Sequence, residues 1–330
     1  MWYSVDCAVQ GLGHISENIP CQDKTCTVSE GDARVIVLAD GAGSASMSHF
    51  GAEAVVKKTA ELLCSQFDEF FAEEDGAKVK TELHKDLISE LSVLAEELGC
   101  ECTDLASTLL AVAIKDERYI IVHIGDGVIG YLKEGELKVA SEPKNGEFSN
   151  ITIFVTSANA LYEMKMMKGY LGEITGFVIM SDGAEASLYN RQKKYLAPVI
   201  KKVMHLCTVL PEFVVKDQLE KSFSTVVRNS TQDDCSIAIL VKGDGQLKYF
   251  DLSDREKQTL LRINPNTPNA QKRLARYGSI LKLLEKPCSR VHIARAMHVK
   301  PKHIKKHLDR LLSLGLIERT GGVYYSFLAQ

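Results

Sequence analysis

The sequence has no long hydrophobic run. None of its apolar stretches approaches the roughly 20 residues that a helix needs to cross a bilayer, so we expect no membrane-spanning segment and no membrane partner. Residues 1–6 contain neither a basic region nor an apolar core, so they do not have the pattern of a secretory signal.

The sequence also lacks a disulfide framework. Its nine cysteines are odd in number and scattered, and the nearest pair, Cys100 and Cys102, has no second pair at zinc-site spacing. We therefore expect reduced thiols and a cytoplasmic protein. Two familiar site types are missing as well. The stretch at 11–13, Gly-Leu-Gly, lacks the strand and helix context of a dinucleotide site, and no Cys or Ser lies in a recognisable nucleophile motif.

The charge is divided unevenly along the 330 residues. The composition is otherwise ordinary for a globular protein, at 45% hydrophobic and 25% charged, and is sufficient for one large core and a small extra domain. Residues 262–330 contain 14 Lys and Arg but 3 Asp and Glu, a balance of +11. The preceding residues contain 26 Lys and Arg and 40 Asp and Glu, a balance of −14. An acidic body and a basic tail indicate different partners for the two parts.

Strand and helix patterns are mixed through the first 250 residues. Apolar runs predict strands at 34–39, 107–114, 119–124, 128–132, 177–180 and 235–241. Helical periodicity predicts helices at 49–71, 79–98, 193–206 and 211–227. We also expect 247–250 to close a hairpin with 235–241. Strands in adjacent runs and helices in pairs favour a layered α+β fold over regular βαβ alternation.

Four short acidic motifs occur beside or between these predicted elements. Asp40 and Asp182 directly follow strand-like runs, Asp233 comes just before one, and Asp23 lies in the fourth motif. Any single Asp at a strand end can simply belong to a turn. Oxygen ligands from distant segments that meet at sheet ends, however, are what a hard cation needs. Taken as a set, the motifs predict a divalent-cation site.

The order of these motifs resembles the metal-dependent protein phosphatase family (type 2C, or PPM). The resemblance covers about residues 4–242. It rests on Asp23, residues 39–43, Ser107 and Thr108, residues 125–127, residues 181–183 and residues 233–236. The local sequence at 13–14, 20–23 and 145–148 is similar to a divergent bacterial branch of that family.

The resemblance implies a four-layer α-β-β-α sandwich that hydrolyses phosphoserine and phosphothreonine on proteins. Its cofactors would be two Mn²⁺ or Mg²⁺ ions and a weaker third. Its partners would be phosphoproteins, among them a Ser/Thr kinase or that kinase's targets. By motif, Asp40 would bridge the two ions, the Gly41 carbonyl would help to bind one of them, Asp182 and Asp233 would complete the other, Asp126 would support the third, and Asp23 would orient the attacking water.

Two positions depart from the family pattern. Gln22 stands where the family usually has a carboxylate ligand, and Asn18 stands where it has a phosphate-binding arginine. With a short insertion, His14 could take the place of that arginine, although a lone His is more often an ordinary surface residue. Because Gln22 is neutral, it would weaken the binding of one of the two metal ions.

The C-terminal part has a pattern of its own. We expect a phosphatase domain at 1–250, a linker at 251–270 rich in turn residues, and a winged helix-turn-helix domain at 271–330. Three amphipathic helices followed by a hairpin around residues 321–322 resemble such a domain. Its candidate contacts to duplex DNA are Lys302, Lys305, Lys306, Arg310 and Arg319. The alternative is a basic face on a protein-docking module.

A second hypothesis concerns the whole chain. The phosphatase-like domain could be a non-enzymatic sensor that controls a DNA-binding winged helix. Gln22 and Asn18 favour this hypothesis, whereas the complete set of aspartates favours the enzyme.

Overall fold

The fold was described from a computed structural model, which covers residues 1–142, 152–243, 249–314 and 316–326. The chain divides into two compact units. The first consists of Met1–Cys207 and Val215–Gly243, and the second of Thr208–Val214 and Asp244–Gln330. Among the described residues, no helix is both long enough and apolar enough to cross a membrane.

The first unit contains two five-stranded antiparallel sheets. Sheet A has the strand order β1-β12-β9-β6-β7, and sheet B has the order β2-β3-β4-β5-β8. The strands are β1 (Trp2–Val9), β2 (Lys24–Glu30), β3 (Ala33–Ala39), β4 (Leu109–Lys115), β5 (Arg118–Ile124), β6 (Val128–Lys133), β7 (Glu136–Ser141), β8 (Lys165–Tyr170), β9 (Ile174–Met180) and β12 (Cys235–Lys242), with β10 (Tyr189–Asn190) and β11 (Tyr195–Leu196) forming a separate short pair.

The two sheets share one apolar core. Successive side chains of a strand point to opposite faces, and β3 is buried on both. Its Ile36 and Leu38 pack with Phe177 and Ile179 of sheet A. Its Val35 and Val37 join a second core that includes residues of helices on the other face of sheet B. A strand buried on both faces appears in the sequence as a continuous apolar run, and this is why β3 was predictable.

One group of helices packs on the outer face of sheet B. α2 and α4 supply buried residues to the core on the outer face of sheet B. The helices are α1 (Leu12–Glu17), α2 (Ser48–Ser65), α3 (Phe67–Ala72), α4 (Gly76–Leu98), α5 (Ala160–Glu163), α6 (Asp182–Leu188), α7 (Val199–Val209) and α8 (Glu212–Thr225). The segment 208–214 contains the end of α7 and the beginning of α8.

The second unit is built from helices and one small sheet. Its elements are α9 (Asp254–Leu260), α10 (Ala270–Leu283), β13 (Cys288–Ser289), α11 (Arg290–Ala296), α12 (Pro301–Ser313), β14 (Glu318–Thr320) and β15 (Val323–Tyr325), with the sheet order β13-β15-β14. The segment 251–270, predicted as a linker, contains α9. Leu260, Leu261 and Ile263 are buried there, so this segment belongs to a packed unit.

Several sequence predictions need correction. Residues 247–250 were expected to pair with 235–241. Residues 247 and 248 lie outside the described residues, but Tyr249–Asp251 is a 3-10 helix and β12 lies between β1 and β9. Strands β1, β2 and β8 were not predicted, because their mixed polar composition reflects their edge or half-exposed positions. The helix expected at 49–71 is divided at Gln66, and the one expected at 193–206 begins at Val199, after the β10–β11 pair. Residues 145–148 lie outside the described residues.

Candidate active site

The strand register brings two acidic motifs together at one edge of sheet B. Lys24, the first residue of β2, pairs with Ala39, the last residue of β3. Asp23 therefore comes just before one strand and Asp40 just after its neighbour, at the same end of the sheet. The Asp40 backbone is held in place by Thr108, whose N–H donates to the Asp40 carbonyl at 2.8 Å and whose Oγ1 accepts from the Asp40 N–H at 2.9 Å.

Sheet A contributes in the same way. Met180, the last residue of β9, pairs with Val128 near the start of β6 and with Ile237 near the start of β12. The segments that follow β9 and precede the other two strands therefore meet at one edge. They carry Asp126, Asp182 and Asp233.

Asp234, which was not predicted as a site residue, organises the surrounding loops. It is 1% exposed. Its Oδ1 accepts from the Gly11 N–H and its Oδ2 from the Gln22 N–H, both at 2.6 Å. His14 Nδ1 lies 2.9 Å from the same Oδ1. This imidazole nitrogen thus faces a carboxylate. The phosphate-binding role of His14 stays a prediction. The adjacent acids at 233–234 were the available signal for a second acidic side chain at this edge.

Two glycines allow the 233–234 backbone to lie this close to its neighbours. A Cβ on Gly11 would come within 2.4 Å of the Asp233 carbonyl, and one on Gly183 within 1.9 Å of the Asp234 carbonyl. Contacts this short exclude any side chain. Gly183 in the Ser-Asp-Gly motif is thus required by close packing against the 233–234 backbone.

A buried network joins the two sheets at this edge. Ser181 Oγ donates to Asp23 Oδ2 at 2.8 Å and accepts from the Ser236 N–H at 3.0 Å. Asp23 is 1% exposed, and burial raises its pKa to about 7, with the nearby Asp234 carboxylate acting in the same direction. The site residue Asp23 is therefore positioned by sheet A although it belongs to sheet B.

The remaining carboxylates perturb one another strongly. Burial, and then the carboxylate of Asp23, holds the pKa of Asp40 well above its usual range, and Asp182, Asp233 and Asp126 contribute further. Burial followed by Asp126 and Asp233 raises the pKa of Asp182 to about 6. Like charges this close are unfavourable without a compensating cation.

The donor set fits a hard divalent cation. Asp23 Oδ1, Asp182 Oδ1 and Gln22 Oε1 are buried oxygens with no hydrogen-bond partner among the described residues. Buried polar atoms are normally satisfied, so these oxygens are available to a metal ion or to water bound to it. Within the described ranges, no group of three or more His, Cys, Asp or Glu side chains is arranged to hold a metal ion by itself. Mg²⁺ and similar ions are commonly held by one or two carboxylates, with carbonyls and waters completing the shell.

The other predicted ligands have distinct settings. Asp126 Oδ2 accepts from Thr152 Oγ1 at 2.6 Å. Asp233 is exposed, and its Oδ1 accepts from the Asp234 N–H at 2.8 Å. Gly41 is buried, its N–H donates to the Gln22 carbonyl at 3.3 Å, and it forms an isolated antiparallel bridge with Ser107. The segment 40–41 is therefore attached to both neighbouring loops.

An ion pair beside the acidic residues was not predicted. Arg191 Nε and Nη2 donate to the two carboxylate oxygens of Glu185, the second bond being 2.6 Å long. Glu185 lies on α6, three residues after Asp182, and its side chain is 7% exposed, whereas that of Arg191 is 53% exposed. No sequence motif marks either residue.

The predicted nucleic-acid contacts lie in the second unit. Lys302, Lys305 and Lys306 are exposed on α12, opposite its buried Ile304, Leu308 and Leu311. Arg319 is exposed, and its guanidinium lies 5.5 Å from the Tyr324 ring centroid.

Arg310 requires a correction. It was expected to face solvent, but it is half-buried and its Nη2 donates to the backbone carbonyls of Leu261 (3.1 Å) and Arg262 (3.0 Å). The side chain thus connects α12 to the residues that follow α9. Arg310 is therefore not counted among the candidate DNA contacts.

The chain is similar to known phosphatases. A family model described as protein phosphatase 2C matches residues 10–224. Serine/threonine-protein phosphatase 3 of Escherichia coli (strain K12) is 28% identical over 173 residues, which is 50% of this chain and 66% of that protein, just under two thirds of its length.

Solved structures share the fold of about three quarters of the chain. A bacterial serine phosphatase aligns with a TM-score of 0.52 at 13% identity, covering 73% of this chain and 98% of that one. Serine/threonine phosphatase Stp1 from Staphylococcus aureus aligns with a TM-score of 0.50 at 13% identity, covering 73% and 95%. With the family model matching well over half of the chain, the protein belongs to the protein phosphatase 2C family.

Proposed function

We propose that this chain hydrolyses phosphoserine and phosphothreonine on proteins in a reaction that requires Mn²⁺ or Mg²⁺. The single observation that carries the proposal is the set of buried aspartate oxygens at the common edge of the two sheets. Burial and the charges of neighbouring carboxylates raise the pKa values of Asp23, Asp40 and Asp182. Such a cluster costs stability unless cations bind there.

Each residue of the proposed site would have a distinct role. Asp40, Asp182 and Asp233, with the Gly41 carbonyl, would hold two ions, and Asp126 a weaker third. When bound, such ions offset the charge of the phosphoryl group and lower the pKa of water to near neutrality. Asp23 would accept a hydrogen bond from the attacking water through its unpaired Oδ1. Gln22 Oε1 would offer a neutral donor to one ion. The partners would be phosphoproteins, including a Ser/Thr kinase or its targets.

A direct assay tests this proposal. The purified chain should hydrolyse p-nitrophenyl phosphate and a phosphothreonine peptide with Mn²⁺ present, and should lose that activity in EDTA. A metal-loaded protein that hydrolyses neither substrate would favour the non-enzymatic sensor instead.

We further propose that the first unit is a four-layer α-β-β-α sandwich. The core on the outer face of sheet B supports one helical layer, with residues of α2 and α4. On the other side, Lys216 of α8 forms an ion pair of 3.0 Å with Asp6 of β1, which supports α7 and α8 as the fourth layer.

For residues 271–330 we propose a winged helix-turn-helix that binds duplex DNA. The order α10, α11, α12 and hairpin, with the short β13 completing the sheet, supports the fold. The exposed lysines of α12 support the binding, because they form a continuous cationic face. Protein docking is the competing function, and salt-dependent DNA binding distinguishes the two.

A further inference from the structure

Arg191 presents an exposed guanidinium beside the acidic site. It lies in the loop between β10 and β11, and half of its side chain surface is exposed. Its bidentate contact with the carboxylate of Glu185 fixes the guanidinium plane. A long side chain held in this way loses little further entropy when it binds a second anion.

The position of Glu185 links this arginine to the site. Residues three apart on a helix lie on the same face, so Glu185 and Asp182 are neighbours along α6. The pKa of Arg191 is raised first by its hydrogen bonds to Glu185, and the carboxylates of Asp126 and Asp182 contribute in the same direction. The bidentate bond to Glu185 therefore places the guanidinium beside the helical turn that begins at Asp182.

The donor count leaves Arg191 available for a ligand. A guanidinium has five N–H donors. Two of them bind Glu185, and in the described part of the chain the other three have no acceptor. The buried Glu185 needs a cationic partner, which explains the ion pair. The spacing of the exposed guanidinium N–H groups matches the spacing of phosphoryl oxygens.

We propose that Arg191 binds the phosphoryl oxygens of the substrate and that Glu185 is the positioning residue that aims it. This inference rests on the proposed phosphatase function. The ligand class is a phosphomonoester dianion, and inorganic phosphate would occupy the same place as product.

Two measurements test the assignment on the full chain loaded with Mn²⁺. Steady-state kinetics with p-nitrophenyl phosphate give kcat and KM, and titration calorimetry with inorganic phosphate gives a Kd that needs no turnover. Loss of a charge-assisted hydrogen bond should weaken binding by about ten- to a hundredfold. Arg191→Ala should raise KM and the phosphate Kd by that factor, with a smaller change in kcat. Arg191→Lys should recover part of the loss.

Matched variants separate binding from folding and from general charge. Lys193→Ala removes one positive charge from the same exposed loop and should leave both constants within about twofold of the parent. The double variant R191A/E185Q avoids leaving a buried unpaired carboxylate and should show the same weakened phosphate binding. Glu185→Gln alone should raise KM more than it lowers kcat.

The outcomes of failure are distinct. If parent and Arg191→Ala proteins bind phosphate equally, the assignment is overturned, whatever the activity. If the parent binds phosphate through Arg191 but turns over no phosphomonoester, the proposed function fails and the anion site stands.

Discussion

At the scale of single residues, the site is a set of carboxylates whose surroundings disfavour their charge. Burial and mutual repulsion raise the pKa values of Asp23, Asp40 and Asp182. By contrast, each carboxylate oxygen of Asp234 accepts a hydrogen bond from a backbone N–H group. Aspartates at one edge of the same fold therefore divide into candidate ligands and a structural organiser.

Replacing either Asp40 or Asp182 with Asn should abolish most metal-dependent turnover. Each change keeps the side-chain size and removes a negative charge that the cations need. We expect kcat/KM to fall at least a hundredfold, ~2.7 kcal/mol in transition-state free energy. The measurement is Mn²⁺-dependent hydrolysis of p-nitrophenyl phosphate.

Asp32→Asn is the control for these variants, because Asp32 is exposed in the turn between β2 and β3. It should keep the parent rate. Parent-level turnover by Asp40→Asn would show that Asp40 is not a ligand.

Gln22→Glu should tighten Mn²⁺ binding. Gln22 is 4% exposed, and its Oε1 has no partner among the described residues, so a carboxylate there would supply a charged donor to the site. Titration calorimetry should show a Kd for one ion that is several-fold lower. Gln22→Met, which removes the oxygen at similar volume, should raise that Kd. Equal affinities in all three proteins would place this side chain outside the metal's surroundings.

At the scale of elements, the central strands carry buried polar groups that make the fold sensitive to pH. His123 on β5 is 1% exposed, and its Nδ1 lies 2.6 Å from Ser141 Oγ. Burial, followed by the charge of Lys165, lowers the pKa of His123 to about 3. The folded protein therefore keeps this imidazole neutral where an unfolded chain would protonate it.

The sign of the effect follows from linkage. A depressed folded-state pKa contributes stability above the unfolded value of about 6.5, and this contribution is lost as pH falls towards 3. Between pH 7 and pH 5 the loss from one such histidine is about 2 kcal/mol. Urea denaturation of the metal-free protein at both pH values should show that His123→Gln loses about 2 kcal/mol less than the parent. Identical losses would mean that His123 titrates alike in the folded and unfolded states.

At the scale of the whole molecule, two units of opposite charge share one chain. The acidic charge belongs to the part that carries the carboxylate cluster, and the excess of 14 Lys and Arg over 3 Asp and Glu lies in residues 262–330. A surplus of positive charge favours association with polyanions, so this division agrees with the proposed binding of DNA by the second unit. The proposed DNA binding can be tested most directly at the lysines of α12.

The triple variant K302A/K305A/K306A should bind duplex DNA more weakly and with less salt dependence. Each phosphate contact releases condensed counterions, so loss of three contacts should flatten the log–log salt slope by up to about 2.7. Band-shift titrations of the full chain at several salt concentrations measure this. The fold should persist, because these lysines lie opposite the buried face of α12.

The control K85A/K202A/K221A removes the same net charge from exposed positions of the first unit. Its binding should match that of the parent. Equal weakening by both triple variants would indicate a general charge effect, and no binding by the parent at low salt would favour a protein-docking module.

The sequence by itself determined the family, the strands that carry its aspartates and the basic helix. Continuous apolar runs such as β3, and amphipathic spacing such as that of α12, are local properties of the chain, so they could be predicted without a fold. The same holds for Asp40 and Asp182, because each directly follows such a run.

Only the tertiary structure decided which polar side chains meet. Asp234 is recognised as the organiser because Gly11 and Gln22, more than 200 residues away, donate to it. Arg191 becomes a candidate through Glu185, and Arg310 is removed from the DNA surface by carbonyls 48 and 49 residues away. Hydrogen-bond partners and burial depend on strand pairing and packing between distant segments, whereas periodicity reports only on neighbours along the chain.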